Sequence, residues 1–184
     1  NTAIGYQAML EHETGNNNTV IGYGAMNDSN GQAAENNTFV GKAAGAGGYS
    51  GAAASNTSIG MASFGGGAKT AAAIGNVAVG RDSLYSVSTG ASNTAVGYQS
   101  GDALTIGGNN VLVGKGAGSA IVEDRNTVAI GYQALLQSNG GGSDGTASDT
   151  NNTAVGANSG DGITNGANNT FIGANTDGSG GSAS

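Results

Sequence analysis

Ten times in 184 residues the chain writes Asn-Thr-x-Ile/Val-Gly or a near copy, and no other feature restricts its fold as strongly. The closing glycines are Gly5, Gly22, Gly41, Gly60, Gly80, Gly97, Gly114, Gly131, Gly156 and Gly173, so successive copies lie 17, 19, 19, 20, 17, 17, 17, 25 and 17 residues apart. A unit this short cannot enclose a core of its own, and no helix-length apolar segment accompanies it. Each copy must bury its apolar side chains against its neighbours, which predicts an all-β chain, a parallel β-solenoid of about ten short rungs.

The columns of the repeat carry the next expectations. With the glycine as position zero, position −1 is always β-branched (Ile4, Ile21, Val40, Ile59, Val79, Val96, Val113, Ile130, Val155, Ile172), which reads as a buried strand position. Position −3 is Thr in seven copies and Val in three, and it shares that face; the looser −2 position points the other way and suggests a second contact surface. Position +3 is always small, from Ala8 to Thr176, as expected where two strands or two chains approach closely. The glycine itself marks a bend between short strands. Asparagine at −4 or −5 precedes every copy and predicts a stacked amide ladder at one corner. None of the 17 charged side chains falls between −4 and zero.

Position +1 behaves differently. It holds Tyr6, Tyr23, Lys42, Met61, Arg81, Tyr98, Lys115, Tyr132, Ala157 and Ala174, so it is expected to face solvent. If the repeat has a functional column, it is this one: Tyr6, Tyr23, Tyr98 and Tyr132 form a candidate contact line for sugar rings or a matrix protein. The competing reading is a packing column that Lys42, Arg81 and Lys115 interrupt.

The domain expectation is one elongated body over residues 1–177, followed by a Gly/Ser-rich tail over 178–184, the whole being a segment of a longer chain. Length variation belongs to loops, above all 138–149, and Ala73-Ile74-Gly75 imitates the motif ahead of Gly80. Thirty-seven glycines without proline fit neither collagen, for want of a three-residue period, nor disorder, because the apolar positions recur regularly. A net charge of −7 argues against nucleic acid and anionic membranes as partners, and no apolar run is long enough for membrane insertion. The side chains of one rung bury too little to offset the ordering of its backbone, so the chain is expected to be an obligate homo-oligomer.

The stretches Asn93-Thr-Ala-Val-Gly-Tyr-Gln-Ser100 and Asn126-Thr-Val-Ala-Ile-Gly-Tyr-Gln-Ala-Leu135 resemble the head repeat of trimeric autotransporter adhesins of the YadA-like type, and similar repeats occur in bacteriophage tail fibres. The resemblance implies a left-handed β-roll, a homotrimer, and exposure at a cell or virion surface. Its typical repeat is shorter than this one, so each coil here needs a longer loop or an additional short strand. The function this implies is a non-enzymatic, extracellular structural or adhesive module. The alternatives are a subunit of a self-assembling helical polymer and a phage tail-fibre shaft.

Other features point to no chemistry. The single histidine lies in Glu11-His12-Glu13, a surface loop for which no metal is expected, and Gly140-Gly-Gly-Ser-Asp-Gly145 lacks the tandem copies that calcium-binding repeats need. With one histidine and no cysteine, no nucleophilic catalytic set can be assembled, and neither an enzymatic activity nor a cofactor is expected. The −3 threonines evoke an ice-binding array, but sharing the parity of the −1 column makes them a half-buried ladder. Six Asn-x-Ser/Thr sequons occur, at Asn17, Asn27, Asn36, Asn56, Asn151 and Asn168.

Overall fold

The computed structural model describes residues 1–136, 148–163 and 166–176. The strands in chain order are β1 (Thr2–Ile4), β2 (Thr19–Ile21), β3 (Thr38–Val40), β4 (Thr57–Ile59), β5 (Val77–Val79), β6 (Thr94–Val96), β7 (Val111–Val113), β8 (Asp124–Arg125), β9 (Val128–Ile130), β10 (Ser148–Asp149), β11 (Thr153–Val155) and β12 (Thr170–Ile172). Ten of them form one parallel sheet in the order β1-β2-β3-β4-β5-β6-β7-β9-β11-β12, while β8 and β10 pair as a second, two-stranded sheet. The chain is therefore a parallel β-solenoid of about nine turns, and among the described residues it contains no helix. Every motif aligns with the next without a slip, and Thr57 pairs with Val77, so the false copy at Ala73-Ile74-Gly75 stays outside the sheet. The extra strand pair and an isolated Tyr49–Lys69 bridge sit where the longer repeat leaves room. The sequence-based loop over 138–149 lies outside the described residues except for Ser148–Asp149, and so does the tail over 178–184.

The two faces of the sheet are the reverse of the expectation. Position −2 is the core: Val20, Phe39, Ser58, Ala78, Ala95, Leu112, Ala129 and Ala154 are fully buried. Position −1 faces out, with Ile4, Ile21, Ile59, Val96, Ile130 and Ile172 exposed and the other four half-exposed. Ile and Val at −1 suit a strand, but their uniformity does not mark an interior column. The varied sizes at −2 reflect packing, because a core column changes volume only when a facing group compensates.

That group is position +4. Ser58, Ala78 and Ala129 at −2 are matched by Phe64, Leu84 and Leu135 at +4, all buried; Phe39 and Leu112 are matched by Gly45 and Gly118. A side chain at Gly45 would overlap the Phe39 ring, and a Cβ at Gly118 would lie 2.9 Å from Leu112 Cδ2. Where both positions are small, a neighbouring rung fills the space: a Cβ at Gly101 would lie 2.6 Å from Leu112 and 3.1 Å from Leu84. The core is thus a set of interlocking volumes distributed over adjacent turns. The small +3 residues close it. Ala25, Ala44, Ala117 and Ala134 are buried, and Ser83 and Ser100 donate to the carbonyls of Ala95 and Leu112 at 3.1 and 2.7 Å. The close approach read from that column is therefore within one chain.

The motif glycine has φ between 126° and 142°, and a Cβ on any of the first nine would strike the backbone of the next motif glycine. Only glycine allows successive bends to stack at this spacing. The asparagine corner follows the same logic. At −4, Asn18, Asn37, Asn56, Asn76, Asn93 and Asn110 are buried, and each accepts at Oδ1 from the backbone N–H of the following rung. Asn37, Asn56, Asn76, Asn93 and Asn110 each also donate Nδ2 to the preceding Oδ1 at 3.0 to 3.2 Å. Asn110 Oδ1 ends this run on the N–H of Thr127, whose hydroxyl bonds that of Thr150 at 2.7 Å. Position −5, in the left-handed region, forms a second, exposed line in which Asn17 donates to Asn36 and Asn109 to Asn126.

Candidate functional site

The +1 column is exposed on all ten rungs. Its register is fixed by the backbone: the carbonyl of each +1 residue from Tyr6 to Ala157 accepts from the +2 N–H of the following rung at 2.8 to 3.1 Å. Side chains one rung apart therefore stand side by side at strand spacing, about 4.8 Å. Tyr6 and Tyr23 stack with centroids 5.3 Å apart. Lys42 Nζ lies 5.8 Å from the Tyr23 centroid, Arg81 Cζ 5.7 Å from that of Tyr98, and Lys115 Nζ 5.6 Å from that of Tyr132.

The cations do not interrupt the aromatic line; they continue it, each lying over a ring. This changes what the tyrosines can do. Tyr23 has Tyr6 on one side and Lys42 on the other, so its ring stands edge-on to solvent instead of lying flat as a sugar platform. Tyr132 is followed by Ala157, so among the described residues no ring or cation of the +1 column stands on its side away from Lys115. The four tyrosine hydroxyls make no hydrogen bond to described residues, leaving a comb of hydroxyls and cations along one corner.

Beside this corner runs the −1 column, with Thr or Val at −3 completing the same face. The −3 residues are half-buried on seven rungs and exposed at Thr2, Val111 and Thr170. They form an outward ladder and line no interior. The expected burial of the −3 and −1 pair is thus corrected by the burial of −2.

A feature with no signal in the repeat is Lys69, fully buried in an irregular turn. Its Nζ donates to the carbonyls of Ala46 and Gly67, both at 2.8 Å, and lies 5.1 Å from the Phe64 centroid and 5.7 Å from that of Tyr49. Burial pulls its pKa down to about 7, with Asp28 opposing. Burial also pushes the Tyr49 phenol above its ordinary range, and that hydroxyl donates to Gly45 O at 2.8 Å. Lys69 braces the core at its most irregular turn and has no access to solvent chemistry.

The remaining candidates stay apart. His12 Nε2 lies 3.4 Å from Asn18 Nδ2, and among the described residues no three His, Cys, Asp or Glu side chains gather in a metal-binding group. Gly140 to Gly145 lie outside the described residues. Of the sequon asparagines, Asn56 is buried in the amide ladder, whereas Asn17, Asn36, Asn151 and Asn168 are exposed. Among the described residues no helix is long and apolar enough to cross a membrane. Comparisons with protein-family models, curated proteins and solved structures find no match to this chain.

Proposed function

We propose that this chain is a non-enzymatic extracellular rod module that associates side by side with copies of itself and presents the +1 column for attachment. The observation that carries the reading is a contrast within one strand face. Positions −3 and −1 point the same way on the same three-residue strands, yet −3 is Thr in seven of ten copies and −1 in none. Strand propensity accepts Thr at both. A column exposed in the single chain that nevertheless excludes Thr is under a demand for apolarity, which a second copy laid against it supplies. Nine turns at about 4.8 Å and three residues at about 3.3 Å give a stripe on the order of 400 Å², the size of the largest patch on a typical monomer, which is often functional.

The resemblance of the repeat to YadA-like heads favours a closed homotrimer of left-handed rolls at a cell or virion surface. An adhesive role rests on the Tyr and cation comb, because the rest of the outer surface repeats only Asn, Thr, Ile and Val.

Sedimentation of the chain at micromolar concentration tests the association. A discrete trimer is expected, and Ile59→Thr with Ile130→Thr, which keeps strand propensity and removes apolar area, is expected to shift it to monomer while the far-ultraviolet dichroism is retained. An open series of sizes would favour the helical polymer. A monodisperse monomer from the unaltered chain would overturn both.

A further inference from the structure

Three of the five Lys and Arg residues, Lys42, Arg81 and Lys115, stand in the +1 column, although the whole chain carries −7. From zero to +2 the only acid on any rung is Asp82, whose Oδ2 accepts from Arg81 Nε at 3.0 Å. The sign of the charge is therefore inverted along this corner. The three cations also occupy alternate rungs, on the motifs of Gly41, Gly80 and Gly114 with those of Gly60 and Gly97 between, so they recur about every 9.6 Å. Arg81 and Lys115 each lie over the ring of the following rung, and Lys42 over that of the preceding one, so the cations are partly ordered before any ligand arrives.

We propose that this column binds an extended acidic polysaccharide laid along the rod axis. The proposal deepens the reading of the +1 column as an attachment line and rests on it. In an extended 1,4-linked polyuronate each pyranose advances by close to one rung and successive residues turn over. Carboxylates on one edge of the polymer therefore recur at every second residue, which is the alternation of Lys42, Arg81 and Lys115. Between them, Tyr98 offers a free hydroxyl to the sugar hydroxyls, and Met61 an apolar contact to the ring carbons. A single-stranded nucleic acid fits less well, since it carries a phosphate on every nucleotide and the stacked Tyr6 and Tyr23 leave no gap for a base.

Affinity electrophoresis of the chain through gels holding polygalacturonate, neutral hydroxyethylcellulose or a single-stranded oligonucleotide tests this. Retardation by polygalacturonate alone is expected, weakened by added salt and about tenfold weaker in Lys42→Gln with Lys115→Gln, since each exposed ion pair contributes modestly. Arg125→Gln, an exposed cation away from the column, is expected to leave it unchanged. Polygalacturonate binding that the two glutamines do not weaken, or tighter binding to the oligonucleotide, would overturn the proposal. Retention on the neutral polymer that depends on Tyr98 and Tyr132 would overturn the acidic ligand while sustaining the attachment line. Retention on none of the three would remove both.

Discussion

The exchange of volume between −2 and +4 yields a sharp test at Phe39 and Gly45. Phe39 is fully buried, its ring 6.3 Å from that of Phe64, and it occupies the space a side chain at Gly45 would need. Phe39→Ala alone is expected to cost about 3–5 kcal/mol, the range for emptying a packed aromatic site. Gly45→Leu alone forces a side chain into the ring at a left-handed position, costing about 1–3 kcal/mol for overpacking and about 1–2 for the backbone. The double variant is different. It converts this rung to the pattern of Ala78 with Leu84 and of Ala129 with Leu135, where leucines already hold φ of 48° and 47°. Leucine then refills the void, returning about 1.5–3 kcal/mol, and the clash disappears. The double variant is expected to be more stable than Phe39→Ala. The backbone cost of leucine cancels in the cycle, so the refilled void and the relieved overpacking give a favourable coupling of about 2.5–6 kcal/mol, at or above the top of the range for residues in contact. Guanidinium denaturation followed by far-ultraviolet dichroism, at one fixed protein concentration, measures all four corners of the cycle. Additivity within about 0.5 kcal/mol would refute the interlocking core.

Two further outcomes follow from buried polar groups. Asn93→Ala removes the Nδ2 bonds to Asn76 Oδ1 and Gly107 O and orphans the Asn110 N–H, so a loss of about 3–5 kcal/mol is expected in the same assay. Asn109→Gly, in the exposed line and with its positive φ preserved, is expected to cost less than about 1 kcal/mol, and equal losses would sink the distinction between the two ladders. At Lys69 the unfolded chain keeps its proton to about 10.5 and the folded chain only to about 7. Between those values the unfolded state binds more protons, so this residue makes stability rise with pH by about 1.4 kcal/mol per unit, and below 7 its penalty is present in full. Tyr49 opposes this above pH 10, because its folded form resists ionisation. Subtracting the profile of Lys69→Met from that of the unaltered chain between pH 7.5 and 9.5 should isolate a rise of about 2–3 kcal/mol. A flat difference would show that Lys69 stays charged in its carbonyl cage.

The repeat made the solenoid, the amide corner and the register outside Lys69–Gly80 legible, because each rests on a residue type with a single backbone use. Glycine at φ near 135° and asparagine at −4 admit few substitutes, and their recurrence reports geometry directly. The sidedness of the strands was not legible from column uniformity. Ile and Val recur at −1 although that position faces outward, while the true core at −2 ranges from Ser58 to Phe39. A usable signal was nevertheless present, since the sizes at −2 and +4 oppose each other on the rungs of Phe39, Ser58, Ala78, Leu112 and Ala129. Lys69 had none, lying in the irregular segment between Gly60 and Gly80 where no column applies.

The same parity explains why attachment chemistry can collect at +1. With one strand residue pointing inward, the core must draw its remaining volume from +3 and +4, which commits that part of the turn to packing. Position +1 comes before the commitment and after the glycine bend, so its backbone is fixed by ladder hydrogen bonds while its side chain touches no core atom on which the fold depends. Tyr, Lys, Met, Arg and Ala are interchangeable there as far as the rung is concerned. Among the described residues the three cations contact only neighbouring +1 rings and Asp82, none of them part of the core. On our proposal, the occurrence of the cations on alternate rungs matches the period of an extended acidic ligand.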